Sequence, residues 1–255
     1  MKIKKRMVIS NVEIFMQIEK KIQEHLRVIV CGSVDDGKST LIGRLLYDAN
    51  KIHKDQLKTL QEESKKTNKQ NKLDFSLLVD GLYAEREQGI TIDVAYRYFS
   101  TNKNKIIIAD SPGHEQYTRN MATGASTASV GIILVDSQKG ILKQTKRHCF
   151  ILSILGVKNL LLIVNKMDLI NYEEKTYNEI KNVFNKFTKS LNFKNITSIP
   201  ISALDGDNVF KKSMQTRWYK GPTLINYLDN NFEETQTFKT LRLPIQYVIR
   251  NKKNL

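Results

Sequence analysis

Cysteine is nearly absent: Cys31 and Cys149 are the two in 255 residues, and neither has a partner at zinc-like spacing. A disulfide framework is therefore not the organising device. Both thiols sit inside apolar runs and read as small buried hydrophobes, which fits a reducing cytosol and a cytoplasmic protein. Long hydrophobic runs are lacking too. No stretch of about 18 apolar residues occurs, so no membrane span is expected. Met1–Lys5 is basic, but no apolar run with a small-residue cleavage site follows, so no secretory leader is expected. There is no internal repeat, no redox CxxC, no dinucleotide GxGxxG and no Ser-His-Asp arrangement. His25, His53 and His148 lack metal-like pairing and read as surface or packed residues.

Negative charge is also in short supply. Lys and Arg number 41 against 26 Asp and Glu, a net charge of +15. Such an excess points either to a polyanion such as RNA or to a surface coated with lysine. The lysines scatter through Lys51–Lys72, Lys175–Lys194 and Lys211–Lys220 without forming a stripe, and no aromatics interleave them. That favours the coated surface, and a nucleic-acid partner is not expected. The Lys-rich segment His53–Lys72 reads as a solvated insertion.

What is present alternates in period. Phe15, Ile18, Ile22 and Leu26 recur at helical spacing and mark an amphipathic N-terminal helix. Arg27–Val30 is a β-branched run ending at Cys31-Gly32. Val94–Phe99 and Lys105–Ala109 flank the polar turn Thr101–Asn104 and read as an antiparallel hairpin. Val130–Val135, Leu160–Val164 and Thr197–Ile201 are further short strands. Helical patterns fill the gaps at Lys38–Tyr47, Glu115–Gly124, Lys143–Leu155, Glu173–Leu191 and Pro222–Leu228, the last with proline in its first turn. The expected fold is α/β, a mostly parallel six-stranded sheet with helices on both faces. Beyond Asn230, Phe232–Thr240 is linker-like, and Leu241–Arg250 alternates like a half-buried strand in need of a partner sheet. The expected division is a helical extension 1–26, a main domain 27–230, and a linker with a first strand 231–255.

Five motifs carry the chemistry. Gly32-Ser33-Val34-Asp35-Asp36-Gly37-Lys38-Ser39-Thr40 fits the phosphate-binding loop G-x-x-x-x-G-K-[ST], between a strand and a helix as that loop requires. Its backbone N–H groups and the helix dipole suit phosphate oxygens; Lys38 adds a charge and Ser39 a hydroxyl for Mg²⁺. Asp110-Ser111-Pro112-Gly113-His114 closes a strand. Asp110 is placed to hold Mg²⁺ through water, Gly113 to approach a γ-phosphate, and His114 to orient a water. Thr91, in Gly89-Ile90-Thr91-Ile92-Asp93, is placed to close over Mg²⁺ and γ-phosphate. Asn165-Lys166-Met167-Asp168 ends another strand, where Asp168 can accept hydrogen bonds from guanine N1–H and its 2-amino group. Adenine offers neither donor, so GTP is selected over ATP. Ser202-Ala203-Leu204 can lend a backbone N–H to guanine O6. The chain thus reads as a P-loop GTPase that takes GTP and Mg²⁺.

These motifs resemble the translation-factor class of GTPases in Asp-x-Pro-Gly-His, in Gly-Ile-Thr-Ile and in Trp218-Tyr-Lys-Gly-Pro-Thr-Leu224. The blocks CGSVDDGKSTLIGRLLYD (31–48), LLVDGLYAEREQGITIDVAYRYFST (77–101) and ADSPGHEQYTRNMATGAS (109–126) resemble more narrowly the GTPase subunit of bacterial sulfate adenylyltransferase. TKRHCF (145–150) and SALDGDNV (202–209) agree. Ser111 stands where that family usually has threonine. The resemblance implies a small partner subunit that transfers an adenylyl group from ATP to sulfate, with GTP hydrolysis on this subunit driving the uphill step. It assigns phosphate binding to Gly32–Thr40, Mg²⁺ to Ser39, Thr91 and Asp110, water placement to His114, and guanine binding to Asn165, Lys166 and Asp168. It also implies β-barrel domains after PIQYVIR, so the chain reads as shortened. A tRNA-binding elongation-factor-like GTPase and a GTP-binding module without coupled catalysis remain open alternatives.

Overall fold

The computed structural model describes residues 25–49, 60, 73–79, 90–101 and 103–230. The expected N-terminal helix, most of the Lys-rich segment and the stretch after Asn230 lie outside the described residues; Leu26, counted in that helical pattern, instead begins a strand.

Strand β1 (Leu26–Cys31) is the hinge of the sheet. It runs parallel to β3 (Lys105–Asp110) on one side and to β4 (Val130–Asp136) on the other. Outward from β4 follow β5 (Asn159–Asn165) and β6 (Asn195–Pro200), also parallel. β2 (Ala95–Ser100) pairs antiparallel with β3 across the expected turn, from Ala95 opposite Asp110 to Ser100 opposite Lys105. The order is β2-β3-β1-β4-β5-β6. β4 is buried at every position, as an unbroken apolar run in a doubly covered sheet should be. β2 forms one edge and alternates, leaving Tyr96 and Tyr98 exposed.

The two faces are covered by different helices. Leu41, Ile42 and Leu45 of α1 (Lys38–Asp48) pack with Leu224 and Leu228 of α5 (Leu224–Asn230) on Val28, Val30 and Ile132. The opposite face, with Ile29, Ile133 and Val135, receives Met121 of α2 (Thr118–Ala125), Leu152 of α3 (Lys143–Ile154) and Phe184 of α4 (Glu174–Thr188). Alternate residues of one strand thus feed two cores. The expected architecture of six strands with helices on both faces is present.

Three helices differ from the sequence pattern by two residues or more, each for a local reason. The expected helix Glu115–Gly124 is a 3-10 turn, Glu115–Tyr117, followed by α2. His114 Nδ1 caps this turn by accepting the Gln116 N–H, and the Thr118 N–H and hydroxyl both donate to the Glu115 carbonyl, the three-residue spacing of a 3-10 turn, which occupies the acceptor a continuous helix would offer four residues on. The last helix starts at Leu224 rather than Pro222, because Thr223 Oγ1 accepts the Asn226 N–H as its cap. The Pro222 carbonyl instead accepts the Tyr219 hydroxyl. α4 stops at Thr188, whose hydroxyl donates back to the Phe184 carbonyl.

All five parallel strands end on the same edge, so the turns after Cys31, Asp110, Asp136, Asn165 and Pro200 converge there. That edge is where an open α/β sheet offers a crevice for ligands.

Cys31 and Cys149 are buried and free, and burial pushes the Cys31 thiol up to about 12. His148 is fully buried on α3, with Nε2 3.0 Å from the Gln144 side-chain amide. Burial, with Lys38 and Arg147 adding to it, lowers its pKa from 6.5 to about 3. The unfolded chain therefore binds a proton that the folded chain refuses as pH falls below 6.5. Stability from this site is fully present above that pH and is lost progressively down to about 3, by on the order of a few kcal/mol. Urea unfolding between these pH values should show the loss, and His148→Gln, which retains an amide contact without a titrating ring, should flatten it.

Candidate functional site

The turn after β1 is held from within. Gly37 adopts a left-handed φ of 90°, and a Cβ there would run into the Asn165 amide. Asp36 is buried, and its Oδ2 accepts the Ser33 N–H at 2.6 Å. Burial pushes this carboxyl up to about 6, against the pull of Ser33 N–H and Lys38. Lys38 is buried as well and folds back over the loop, Nζ donating to the Ser33 carbonyl at 2.8 Å. Burial lowers the Lys38 pKa, while Asp110 and Asp36 oppose that shift.

A cavity of about 440 Å³ opens beside this turn. It brings together Val34, Asp35, Gly37, Lys38, Ser39, Thr40, Thr91, Gly113 and Lys166, drawn from four of the five motifs. Gly113 comes so close that a Cβ would lie 2.5 Å from Lys38 Nζ and 2.9 Å from the Val34 nitrogen. Gly32, Ser33, Asp36 and Asp110 are not among the residues that line it. Asp110 is buried at the end of β3, and Ser111 Oγ donates to the Val30 carbonyl at 2.6 Å, tying that strand end to β1.

His114 does not line the cavity. Its Nδ1 accepts the Gln116 N–H at 3.3 Å, which uses an unprotonated nitrogen, and its ring is 6.1 Å from that of Tyr117. Asp168 lies in the 3-10 turn Met167–Ile170, half-buried and outside the cavity, one turn beyond Lys166.

Asn165 is engaged at both ends. Nδ2 donates to the Asp36 carbonyl at 2.8 Å, and Oδ1 accepts the Ala203 N–H at 3.0 Å. The side chain expected to bind guanine therefore clasps the phosphate loop to the Ser202–Leu204 loop, and the Ala203 N–H is already in use. Arg44 of α1 reinforces that loop by donating to the Leu204 carbonyl at 3.1 Å. Lys166 sits at a left-handed φ of 59°, its Nζ 2.8 Å from Asp136 and its carbonyl accepting Ser137 Oγ at 2.8 Å.

Asp136, Ser137, Arg44 and Ser76, the last on the cavity wall, were not found from sequence motifs. Asp136 carried a usable signal, since it is a carboxylate at the ligand edge of a parallel strand.

Among the described residues, no group of three or more His, Cys, Asp or Glu could hold a metal ion. The hydroxyl-bearing Ser39 and Thr91 line the same cavity, and the buried Asp110 carboxylate is close enough to Lys38 to act on its charge. Those sparse oxygens suit Mg²⁺, which keeps waters and binds together with substrate phosphates. A second hollow of about 400 Å³ lies between α4 and Trp218–Pro222, but no phosphate-binding turn borders it. No helix among the described residues is long and apolar enough to cross a membrane.

Comparison with known proteins agrees with this geometry. The family described as the elongation factor Tu GTP binding domain matches residues 23–234. Sulfate adenylyltransferase subunit 1 of Bacteroides fragilis (strain YCH46) is 56% identical over 227 residues, covering 88% of this chain and 48% of that protein. Its namesake in Aliarcobacter butzleri (strain RM4018) is 54% identical over 251 residues, 95% of this chain and 53% of that protein. The chain thus spans about half the length of the curated relatives it matches. Among solved structures, the S. cerevisiae Ski7 GTPase-like domain, bound to GDP and inorganic phosphate, is similar with a TM-score of 0.68 and 26% identity. That match covers 86% of this chain and 53% of that one.

Replacing Asn165 with Ala would strand the Asp36 carbonyl and the Ala203 N–H in the interior. The expected cost is about 2–4 kcal/mol, seen as a lower urea midpoint with an unchanged slope, together with weaker nucleotide binding. A midpoint equal to that of the parent would remove the clasp from this account.

Proposed function

Because the chain belongs to the elongation factor Tu GTP-binding domain family, we propose that it is the GTPase part of a sulfate adenylyltransferase. In this reading, GTP hydrolysis here drives a small partner subunit to adenylylate sulfate with ATP, giving adenosine 5′-phosphosulfate and diphosphate. The observation that carries it is the identity above one half to sulfate adenylyltransferase subunit 1 over nearly all of the chain. The division at 26/27 and 230/231 belongs to the same proposal.

The residues divide the work as follows. Backbone N–H groups of Gly32–Thr40 and the α1 dipole receive the phosphates, and Lys38 exchanges the Ser33 carbonyl for phosphate oxygens. Asp168 selects guanine, held at the right height by the clasp at Asn165. Ser39, Thr91 and Asp110 would hold Mg²⁺, which when bound would neutralise phosphate charge. His114 positions the water that attacks the γ-phosphorus as its bond to the bridging oxygen breaks. Leaving its cap on Gln116 would free the ring for that task.

Two measurements test the reading. Mixing the protein with an adenylyl-transferring small subunit, ATP and sulfate should yield more adenylyl sulfate when GTP is added. Intact GTP binding without that stimulation would sink the coupling, and GTP-dependent retention of charged tRNA would favour a translation role instead. Asp168→Asn should shift preference from guanine to xanthine nucleotides, because an amide donates where xanthine has an oxygen. Unchanged GTP selectivity would dismiss the role given to Asp168.

A further inference from the structure

A phosphate-binding turn gathers N–H donors and a lysine for a polyanion, so a carboxylate inside it works against its own ligand. Asp36 is such a carboxylate. It is 1% exposed, and it takes one of the loop's own donors, the Ser33 N–H. Its carbonyl is fastened by Asn165, so the residue is anchored at both backbone and side chain. Oδ1 is buried with no hydrogen-bond partner, and the Asp136 backbone is a further group that favours the charged carboxylate. The charged groups that bear on it are Lys38 and Asp136. Asp136 is paired with Lys166, and Lys38 also answers to Asp110 and Asp35. One buried lysine thus serves several carboxylates before any phosphate arrives.

We propose that Asp36 sets nucleotide affinity: its side chain holds the empty loop in phosphate-ready shape through Ser33, while its charge repels the phosphates and speeds their release. This rests on the GTP-binding reading. The two effects are separable, because Asn at this position keeps an acceptor for Ser33 and discards the charge, whereas Ala discards both.

Burial already pushes the Asp36 carboxyl up to about 6. A neighbouring phosphate chain moves it further in the same direction, since like charge disfavours the ionised form. Binding therefore draws in a proton near neutral pH, and affinity rises as pH falls toward the carboxyl's pKa.

The test is GDP and GTP binding, with fluorescent-GDP release rates, for the parent, Asp36→Asn and Asp36→Ala from about pH 5.5 to 8. Asp36→Asn should bind on the order of tenfold tighter, release more slowly and lose the pH dependence that Asp36 contributes. Asp36→Ala should bind more weakly than Asp36→Asn. If Asp36→Asn binds no tighter than the parent, the charge has no such role. Calorimetry of the parent in two buffers of different ionisation enthalpy provides a check that needs no variant: absence of proton uptake near pH 6.5 overturns the proposal. A parent that binds neither GDP nor GTP would instead sink the GTP-binding reading.

Discussion

The clasp made by Asn165 is the contact on which the rest of the site depends. One amide donates to the phosphate loop at the Asp36 carbonyl and accepts from Ala203 in the loop after β6. The first loop follows β1 and the second follows β6, with β4 and β5 between those strands in the sheet, so one amide at the end of β5 ties together turns from strands that are not neighbours. Gly37 must lack a side chain because the amide occupies the space a Cβ would need. A buried amide with both ends satisfied is rigid, and losing it leaves two backbone groups unpaired rather than one. The loop after β1 and the loop after β6 thereby keep a set separation.

Charge is arranged with the same economy. Lys38 and Asp110 are buried close together, and Asp36 shares the same lysine. Lys166 answers Asp136 at the next strand end. Buried charges of this kind persist only when paired or hydrogen-bonded. A nucleotide entering the cavity therefore does not meet a bare lysine. It competes with carboxylates and with the Ser33 carbonyl for a cation already in use. Affinity for a polyanion at this cavity is then a difference between two occupied states.

Much of the architecture was legible because each signal was local. The unbroken apolar run Val130–Val135 and the turn Thr101–Asn104 announce a buried strand and a hairpin without knowledge of neighbours. The helix expected at Glu115–Gly124 failed where His114 and Thr118 capture backbone groups, an outcome that depends on side-chain direction rather than hydrophobic spacing. The boundary at Pro222 failed for a similar reason, since the Thr223 cap outweighed the preference of proline for a first turn. Asp136 and Arg44 escaped notice because their partners, Lys166 and Leu204, lie far away in sequence.

By itself, the sequence determined the phosphate-loop pattern and the order of the strands along the chain. Both follow from short patterns that are complete within a few residues, such as the glycines and lysine of that loop or the apolar run Val130–Val135. Only the tertiary structure decided what those residues touch. Asn165 proved to be a clasp, Lys166 the partner of Asp136, His114 a cap on its own turn, and Asp36 an anion inside an anion cradle. The physical reason is that a hydrogen bond or ion pair depends on distance and direction between atoms, and here those are set by the packing of parallel strands that bring distant residues to one edge.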